Sequence, residues 1–240
     1  MNFLNPGENE TINFNYLFKF KDGSAKEFTV KLDNNLHLVK QKSILAGPEW
    51  AKLENFKCSS CSLEKSEYGG YCPVVLNLLD LVGSFQDSIS FTEVDLSIQT
   101  KERSFFKETS LQIGLSSLMG IYMVTSGCPV MEKLKPMVRY HLPFATTEET
   151  MYRMITMYLL AQYFLNRKGI SGDWDLIKLN KTFDEIQAVN QNFCAKLRNI
   201  VDKDAVLNAL VKLNSSVNFM AFRLDMNILD EIEHHFNAYF

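Results

Sequence analysis

Glycine and proline are scarce in this sequence, with 11 Gly and 6 Pro among 240 residues. So few glycines leave little room for the loops whose backbone amides cradle phosphate groups. Neither the P-loop pattern nor a dinucleotide-binding glycine pattern after a strand occurs, and HExxH and EF-hand patterns are also missing. The sequence therefore disfavours a nucleotide-dependent enzyme.

An excess of positive charge is missing as well. Lys and Arg number 25, Asp and Glu number 28, and the formal net charge is −3. Because nucleic-acid binding relies on cationic side chains that displace counterions from phosphates, we expect no nucleic-acid partner. The apolar fraction of 46% excludes a chain that is disordered throughout.

Long apolar runs are also absent, and none approaches the roughly 20 residues that a membrane-spanning helix needs. Residues 1–10 contain no Lys or Arg and no long apolar stretch, which is unlike a secretory signal. We therefore expect a cytoplasmic protein with no membrane partner. In that compartment the five cysteines are expected to be reduced, metal-bound or redox-active.

Alternating apolar and polar side chains predict a β-hairpin at residues 12–32, with its turn at Asp22-Gly23. The same alternation predicts a third strand at residues 90–99. Two strands alone are marginally stable, whereas three strands with one apolar face can support a layer of helices. We therefore expect a small three-stranded antiparallel sheet.

Helical periodicity dominates after residue 100. Helices are predicted for residues 102–124, 129–138 and 147–166, while residues 173–240 lack Gly and Pro and predict two long helices and a shorter one at 203–213. The helix at 147–166 begins with a Thr146-x-x-Glu149 capping box and has apolar side chains on opposite sides. This pattern predicts a central, largely buried helix.

The expected architecture is a single α+β domain over residues 1–240, a small sheet packed on a mainly helical bundle. Residues 1–100 would contain the hairpin, a cysteine-rich loop and the third strand. Residues 101–240 would form the helical part. No internal repeat or clear linker divides the chain.

Four cysteines lie in contexts that are typical of metal ligands. Cys58 and Cys61 form a CxxC pair, the usual knuckle for two thiolates on one metal. Cys72 and Cys128 each precede a proline, and proline is favoured at the first position of a helix. Each of these two thiols would then face the free amides and the positive dipole end of a helix, which stabilise a thiolate.

We therefore interpret Cys58, Cys61, Cys72 and Cys128 as ligands of one metal ion. Zinc is the first choice because four tetrahedral thiolates suit it, and an iron–sulfur cluster is the alternative. His37 or His141 could replace Cys128 as the fourth ligand. Four protein ligands leave no open position for a substrate, so the role of the metal would be structural.

Two other interpretations of these cysteines stay open. The Cys58/Cys61 pair could be a redox dithiol, although no strand of a βαβ unit precedes it. The cysteines could also be unligated core residues, because free Cys is among the most buried residue types. Cys194, in the middle of a predicted helix, fits this last description.

A second candidate site surrounds His141. Arg139, Glu148, Glu149 and Arg153 lie close to it in sequence, near the start of a predicted helix. A His–Glu pair could perform acid–base chemistry, and a helix start with an Arg could hold an anion. The alternative is structural, with Glu149 capping the helix and the arginines paired with Glu148. No nucleophile in a GxSxG-like turn accompanies His141.

Three segments carry a resemblance to a known family: Cys72-Pro-Val-Val-Leu-Asn-Leu, Thr125-Ser-Gly-Cys-Pro and Arg139-Tyr-His-Leu-Pro-Phe-Ala. With the CxxC pair they resemble an uncharacterised bacterial family of unknown function with a CxxC…CP…GCP pattern. The matched motifs lie within residues 58–150. The resemblance implies a bacterial, cytosolic protein and transfers no activity.

These observations predict a non-enzymatic binding or regulatory module with a structural tetra-cysteine metal site and a protein partner. The alternatives are an iron–sulfur or thiol redox protein, or an enzyme that uses His141.

Overall fold

The computed structural model describes residues 11–39, 47–225 and 228–240. Four strands form one antiparallel sheet in the order β2-β1-β3-β4. The strands are β1 (Ile12–Phe20), β2 (Ala25–Leu32), β3 (Glu93–Gln99) and β4 (Ser104–Ser110). With the helices given below, this sheet confirms the α+β class.

The predicted hairpin and third strand are confirmed. Ile12 lies opposite Leu32 in the hairpin, and β3 pairs with the other edge of β1. The turn is stabilised by the Asp22 carboxylate, which accepts hydrogen bonds from the amide and the hydroxyl of Ser24. Gly23 adopts a φ of 87°, a left-handed conformation that suits glycine.

The sheet has four strands, so the predicted number of three is wrong. Residues 104–110 had been predicted as the first part of a helix, but they form β4 and pair with β3 across a turn at residues 100–103. Most β4 side chains are exposed at the sheet edge, and the strand therefore lacks the buried-and-exposed alternation that marks a strand in sequence. Long-range pairing with β3 decides its conformation.

Eight α-helices lie within the described residues: α1 (Leu53–Phe56), α2 (Pro73–Phe85), α3 (Leu111–Val124), α4 (Lys135–Arg139), α5 (Thr147–Arg167), α6 (Ile177–Leu197), α7 (Ala205–Asp225) and α8 (Ile228–Glu233). Short 3₁₀ helices occur at Glu49–Ala51, Glu67–Gly70, Met131–Leu134 and His234–Tyr239. No helix in these ranges is long and apolar enough to cross a membrane.

Two predicted helices have different boundaries in the structure. The segment predicted as one helix at 129–138 is the 3₁₀ helix Met131–Leu134 followed by α4. Pro136 lies in the first turn of α4, where a missing amide costs nothing, so it does not end a helix. The short helix predicted at 203–213 is the first half of α7.

The buried apolar side chains form one contiguous cluster between the sheet and the helices. α3 lies directly against the sheet, and Gly114 is the point of closest approach. A Cβ atom at this position would come within 2.6 Å of the Phe18 ring and 2.7 Å of Leu96 Cδ2. α3 and α6 in turn pack against α7. The sheet therefore positions α3, and α3 positions the remaining helices.

The capping box that begins α5 is present. The Thr146 hydroxyl accepts a hydrogen bond from the Glu149 amide at 3.1 Å, and the Glu149 carboxylate accepts one from the Thr146 amide at 2.7 Å. The prediction that α5 is central and largely buried is wrong. Tyr163 and Phe164 are 48% and 49% exposed, because α5 lies at the edge of the bundle and buries one side only.

Replacing Thr146 with alanine is expected to destabilise the protein by about 1 kcal/mol, because the Glu149 amide loses its acceptor. Chemical denaturation measures the change. Thr147→Ala, one residue further along, is the matched control, since Thr147 is already helical and contributes no capping bond. Equal effects of the two substitutions would contradict a capping role for Thr146.

Candidate functional site

Four of the five cysteines surround one narrow pocket of about 20 Å³: Cys58, Cys61, Cys72 and Cys128. Apolar side chains, including Phe56, Leu63 and Phe193, complete its wall. The fold thus brings together cysteines from the loop before α2, the start of α2 and the segment after α3.

The two Cys-Pro pairs behave differently. Cys72 is the N-cap residue of α2, and Pro73 lies in the first turn, as predicted. Pro129 does not begin an α-helix, but the Cys128 carbonyl accepts a hydrogen bond from the Glu132 amide at 2.9 Å, as in a single helical turn.

Burial controls the protonation of these thiols. It raises the pKa of Cys58 to about 11 and that of Cys72 to about 12. The amides of Val74 and Val75 lower the pKa of Cys72, as expected at a helix start, but burial is the larger effect. Burial likewise raises the pKa of Cys128. These three sulfur atoms are therefore protonated near neutral pH.

The interpretation of the chain as a module built on a structural tetra-cysteine metal site is wrong. Across residues 11–39, 47–225 and 228–240, no group of three or more His, Cys, Asp or Glu side chains is arranged to hold a metal ion. The sequence motif indicated four cysteines that line one pocket, but their side chains are not in the arrangement that a metal ion requires.

All five cysteines are free thiols in the structure. The Cys58 thiol lies 3.5 Å from the Phe56 carbonyl oxygen, and the Asn192 amide lies at the same distance from the sulfur. His37, the proposed replacement ligand, contacts Lys135, Glu132 and Asp33 instead.

The second candidate site contains a hydrogen-bonded group of three side chains. The Tyr16 hydroxyl lies 2.8 Å from His141 Nε2 and 2.9 Å from the Ser117 hydroxyl. Ser117 Oγ is 3.4 Å from the same ring nitrogen. Tyr16 comes from β1, Ser117 from α3, and His141 from the turn after α4. The group therefore joins the sheet to the helices.

His141 is a neutral imidazole in this environment. Burial, with the nearby positive charge of Arg153 as a second cause, lowers the pKa of His141 to about 3. Burial also raises the pKa of Tyr16, so its hydroxyl keeps its proton. A neutral ring that accepts the Tyr16 proton at Nε2 carries its own proton on Nδ1. Nδ1 forms no hydrogen bond with the described residues.

Arg153 is the least compensated charge near this group. Its Nη2 donates to the carbonyl oxygens of Met137 at 2.9 Å and Tyr140 at 2.6 Å. Burial lowers its pKa, the nearby Glu149 carboxylate opposes this shift, and no ion pair joins Arg153 to a residue in the described ranges. A partly buried guanidinium without a carboxylate pays a desolvation cost that an anionic partner would offset.

A cavity of about 810 Å³ opens beside His141 and Arg153. The start of β1, the β3–β4 turn and residues 139–142 form its walls. Arg103 and Arg139 line it, and neither guanidinium forms an ion pair within the described part of the chain. The lining also contains the charged residues Lys101 and Glu102 and the following amide and hydroxyl side chains: Thr11, Asn13, Asn15, Asn34, Gln99 and Thr100.

The predicted carboxylates do not join this site. Glu149 caps α5, and Glu148 is exposed and forms no ion pair with Arg139 or Arg153. The acid–base pair expected for His141 is therefore absent from the described structure. With its pKa lowered to about 3, His141 is also a poor base near neutral pH, so an enzyme that uses it as one is not supported.

A family model matches residues 14–237, nearly the whole of this α+β fold. The chain belongs to the family described as Domain of unknown function (DUF6901). This result confirms the resemblance to a family of unknown function, while the bacterial origin and the cysteine pattern stay predictions. No curated protein and no solved structure matches this DUF6901 chain.

Sequence analysis of this DUF6901 chain missed three residues at the site: Tyr16, Ser117 and Arg103. Tyr16 lies among apolar strand residues, and Arg103 lies in a segment that was predicted to be helical. Ser116-Ser117 offered a usable signal, because two adjacent hydroxyls interrupt the otherwise apolar helix α3. A polar side chain in such a helix needs a hydrogen-bond partner.

Proposed function

We propose that this protein binds a small organic anion in the cavity beside His141. The observation that carries the proposal is Arg153, a partly buried guanidinium that donates to two carbonyl oxygens and forms no ion pair within the described chain, although the Glu149 carboxylate lies near enough to act on its pKa. Because its orientation is already set, an anion can bind to it without ordering a flexible side chain.

The surroundings of Arg153 complement an anion. Arg139 and Arg103 add two positive charges from separate walls of the cavity and form no ion pair with the described residues, while Glu102, next to Arg103, adds one negative charge to the lining. Guanidinium groups donate paired hydrogen bonds in a geometry that matches carboxylate and phosphate groups. The amide side chains of Asn13, Asn34 and Gln99 can donate further bonds to a polar ligand.

His141 serves this proposal as a hydrogen-bond donor. The Tyr16 hydroxyl fixes the ring, and the lowered pKa keeps it neutral over the ordinary pH range. A neutral Nδ1–H can donate to an anion without contributing a charge that varies with pH. Binding of butyrate, whose carboxylate stays ionised above pH 6, is therefore expected to change little between pH 6 and 8.

Isothermal titration calorimetry at low ionic strength tests the proposal with citrate, butyrate and inorganic phosphate as probes. At least one of them is expected to bind, and the cation spermidine is expected not to bind in the cavity. Arg139→Gln removes a charge-assisted hydrogen bond and should weaken anion binding by about tenfold or more. Arg103→Gln is expected to act in the same direction.

Arg167→Gln is the matched control, because Arg167 is an exposed arginine in the last turn of α5, outside the cavity lining. Arg153→Gln is harder to interpret, because it also removes the hydrogen bonds that Arg153 donates to the carbonyl oxygens of Met137 and Tyr140. Failure of all three anions to bind, or equal weakening by Arg167→Gln and Arg139→Gln, would overturn the proposal.

A further inference from the structure

A second hollow, of about 300 Å³, lies against the opposite side of His141. We call it the α3–α7 groove, because residues of α3 and α7 form most of its wall. Its lining is mainly apolar and includes Ile121, Leu134, Met137, Leu213, Val217 and Met220. Five helices contribute to its lining: α3, α4, α5, α6 and α7.

His141, Leu142 and Arg153 line both the cavity and the α3–α7 groove. An anion at Arg153 therefore has an apolar channel beside the same guanidinium. We propose that the anion bound by this protein is an amphipathic carboxylate, with its head at Arg153 and Arg139 and its alkyl chain in the α3–α7 groove. This inference rests on the proposed function and adds the chemical class of the ligand.

Three of the five hydroxyl side chains that line the groove are compatible with an alkyl chain. Ser116, Thr150 and Ser216 each donate to a main-chain carbonyl of their own segment, at 2.8, 2.8 and 3.0 Å. An apolar chain that covers them leaves none of these donors without an acceptor. A polar ligand in the groove would gain no free hydroxyl donor from these three residues.

Charge is also distributed as an amphipathic anion requires. The positive side chains Arg103, Arg139 and Arg153 lie on the cavity side or at the shared wall. On the groove side the additional cation is Lys212, on the exposed surface of α7. The cavity and the α3–α7 groove together therefore complement a ligand with one anionic end and one apolar end.

Chain length is the first experimental variable. In calorimetric titrations of the unmodified protein, octanoate is expected to bind about 200-fold more tightly than butyrate, because it has four more methylene groups and burial of each strengthens binding by roughly fourfold. Both carboxylates are expected to lose affinity in Arg139→Gln, which shows that their heads share one site.

Blocking the groove is the second variable. Gly120 lines the groove, and a Cβ atom there would lie at an ordinary distance of 3.7 Å from Leu213 Cδ2. Gly120→Leu is expected to remove most of the gain of octanoate over butyrate while butyrate binding stays unchanged. Gly83→Leu is the matched control, because Gly83 is a helical glycine of α2 with open space around it.

The outcomes separate this inference from the proposed function. Equal affinity for butyrate and octanoate, with both reduced by Arg139→Gln, would overturn the amphipathic ligand and keep the anion site. An octanoate advantage that persists in Gly120→Leu would place the chain elsewhere and also overturn the inference. Absence of binding by every anion tested would overturn the proposed function itself. If Gly120→Leu does not fold, the chain-length comparison in the unmodified protein still decides.

Discussion

Gly114→Ala is expected to destabilise the protein by about 1–3 kcal/mol, although alanine normally favours a helix over glycine. The added Cβ would lie 2.6 Å from the Phe18 ring and 2.7 Å from Leu96 Cδ2, which is closer than nonbonded carbon atoms can approach. Both neighbours are fully buried in the sheet, so α3 must move away from β1 and β3.

Gly83→Ala provides the matched control for this prediction. Gly83 is also a helical glycine, but nothing lies within 4 Å of its added Cβ, and the substitution should stabilise the protein by about 0.5–1 kcal/mol. Urea denaturation of the two variants measures both changes. A stabilising effect of Gly114→Ala would show that α3 does not contact the sheet as the structure describes.

The second large effect concerns pH. His141 has a pKa of about 3 in the folded protein, against an ordinary value of 6.5. Below pH 6.5 the unfolded chain therefore binds a proton that the folded chain does not bind. The free energy of unfolding should fall as the pH decreases from about 6.5 towards 3, by up to about 1.4 kcal/mol per pH unit from this one group.

His141→Gln tests this pH dependence. Glutamine keeps a side-chain acceptor that can face the Tyr16 hydroxyl but has no group that titrates in this range. Carboxyl groups titrate in both proteins, so the difference between their slopes isolates His141. His234→Gln, at an exposed position near the C-terminus, is the control. Identical slopes for the unmodified protein and His141→Gln between pH 6.5 and 4 would contradict the burial of a neutral imidazole.

Sequence patterns predicted the elements whose conformation is determined by residues close to one another in the chain. Alternation and an Asp-Gly turn located the hairpin, and the Thr146/Glu149 pair located the start of α5. In contrast, β4 has mostly exposed side chains and depends on pairing with β3, so its conformation arises from contacts that are distant in the unfolded chain. The orientation of α5 also depends on tertiary contacts. Because its apolar side chains lie on two opposite sides of the helix, the sequence does not indicate which side is buried.

For the candidate sites too, the sequence indicated residues of interest, and the tertiary structure decided their surroundings. Spacing grouped Cys58, Cys61, Cys72 and Cys128, which line one pocket, yet only the surrounding Phe56, Leu63 and Phe193 show that this pocket is apolar and keeps Cys58 and Cys72 neutral. His141 and Arg153 were recognised, but their partners were assigned to the wrong residues. Tyr16 and Ser117 are more than 100 positions apart in the chain and meet only where α3 lies on β1.

The order of residues alone determined the α+β class, the hairpin, the approximate positions of most helices and the presence of chemically interesting residues. Those features follow from side-chain periodicity and from turn and cap chemistry, which act within a few residues. Tertiary packing alone decided the protonation of Cys58, Cys72 and His141, the absence of an ion pair at Arg153 within the described residues, and the shared wall between cavity and groove. Each of these depends on burial and on the distance between charges, and both quantities exist only after distant segments have come together.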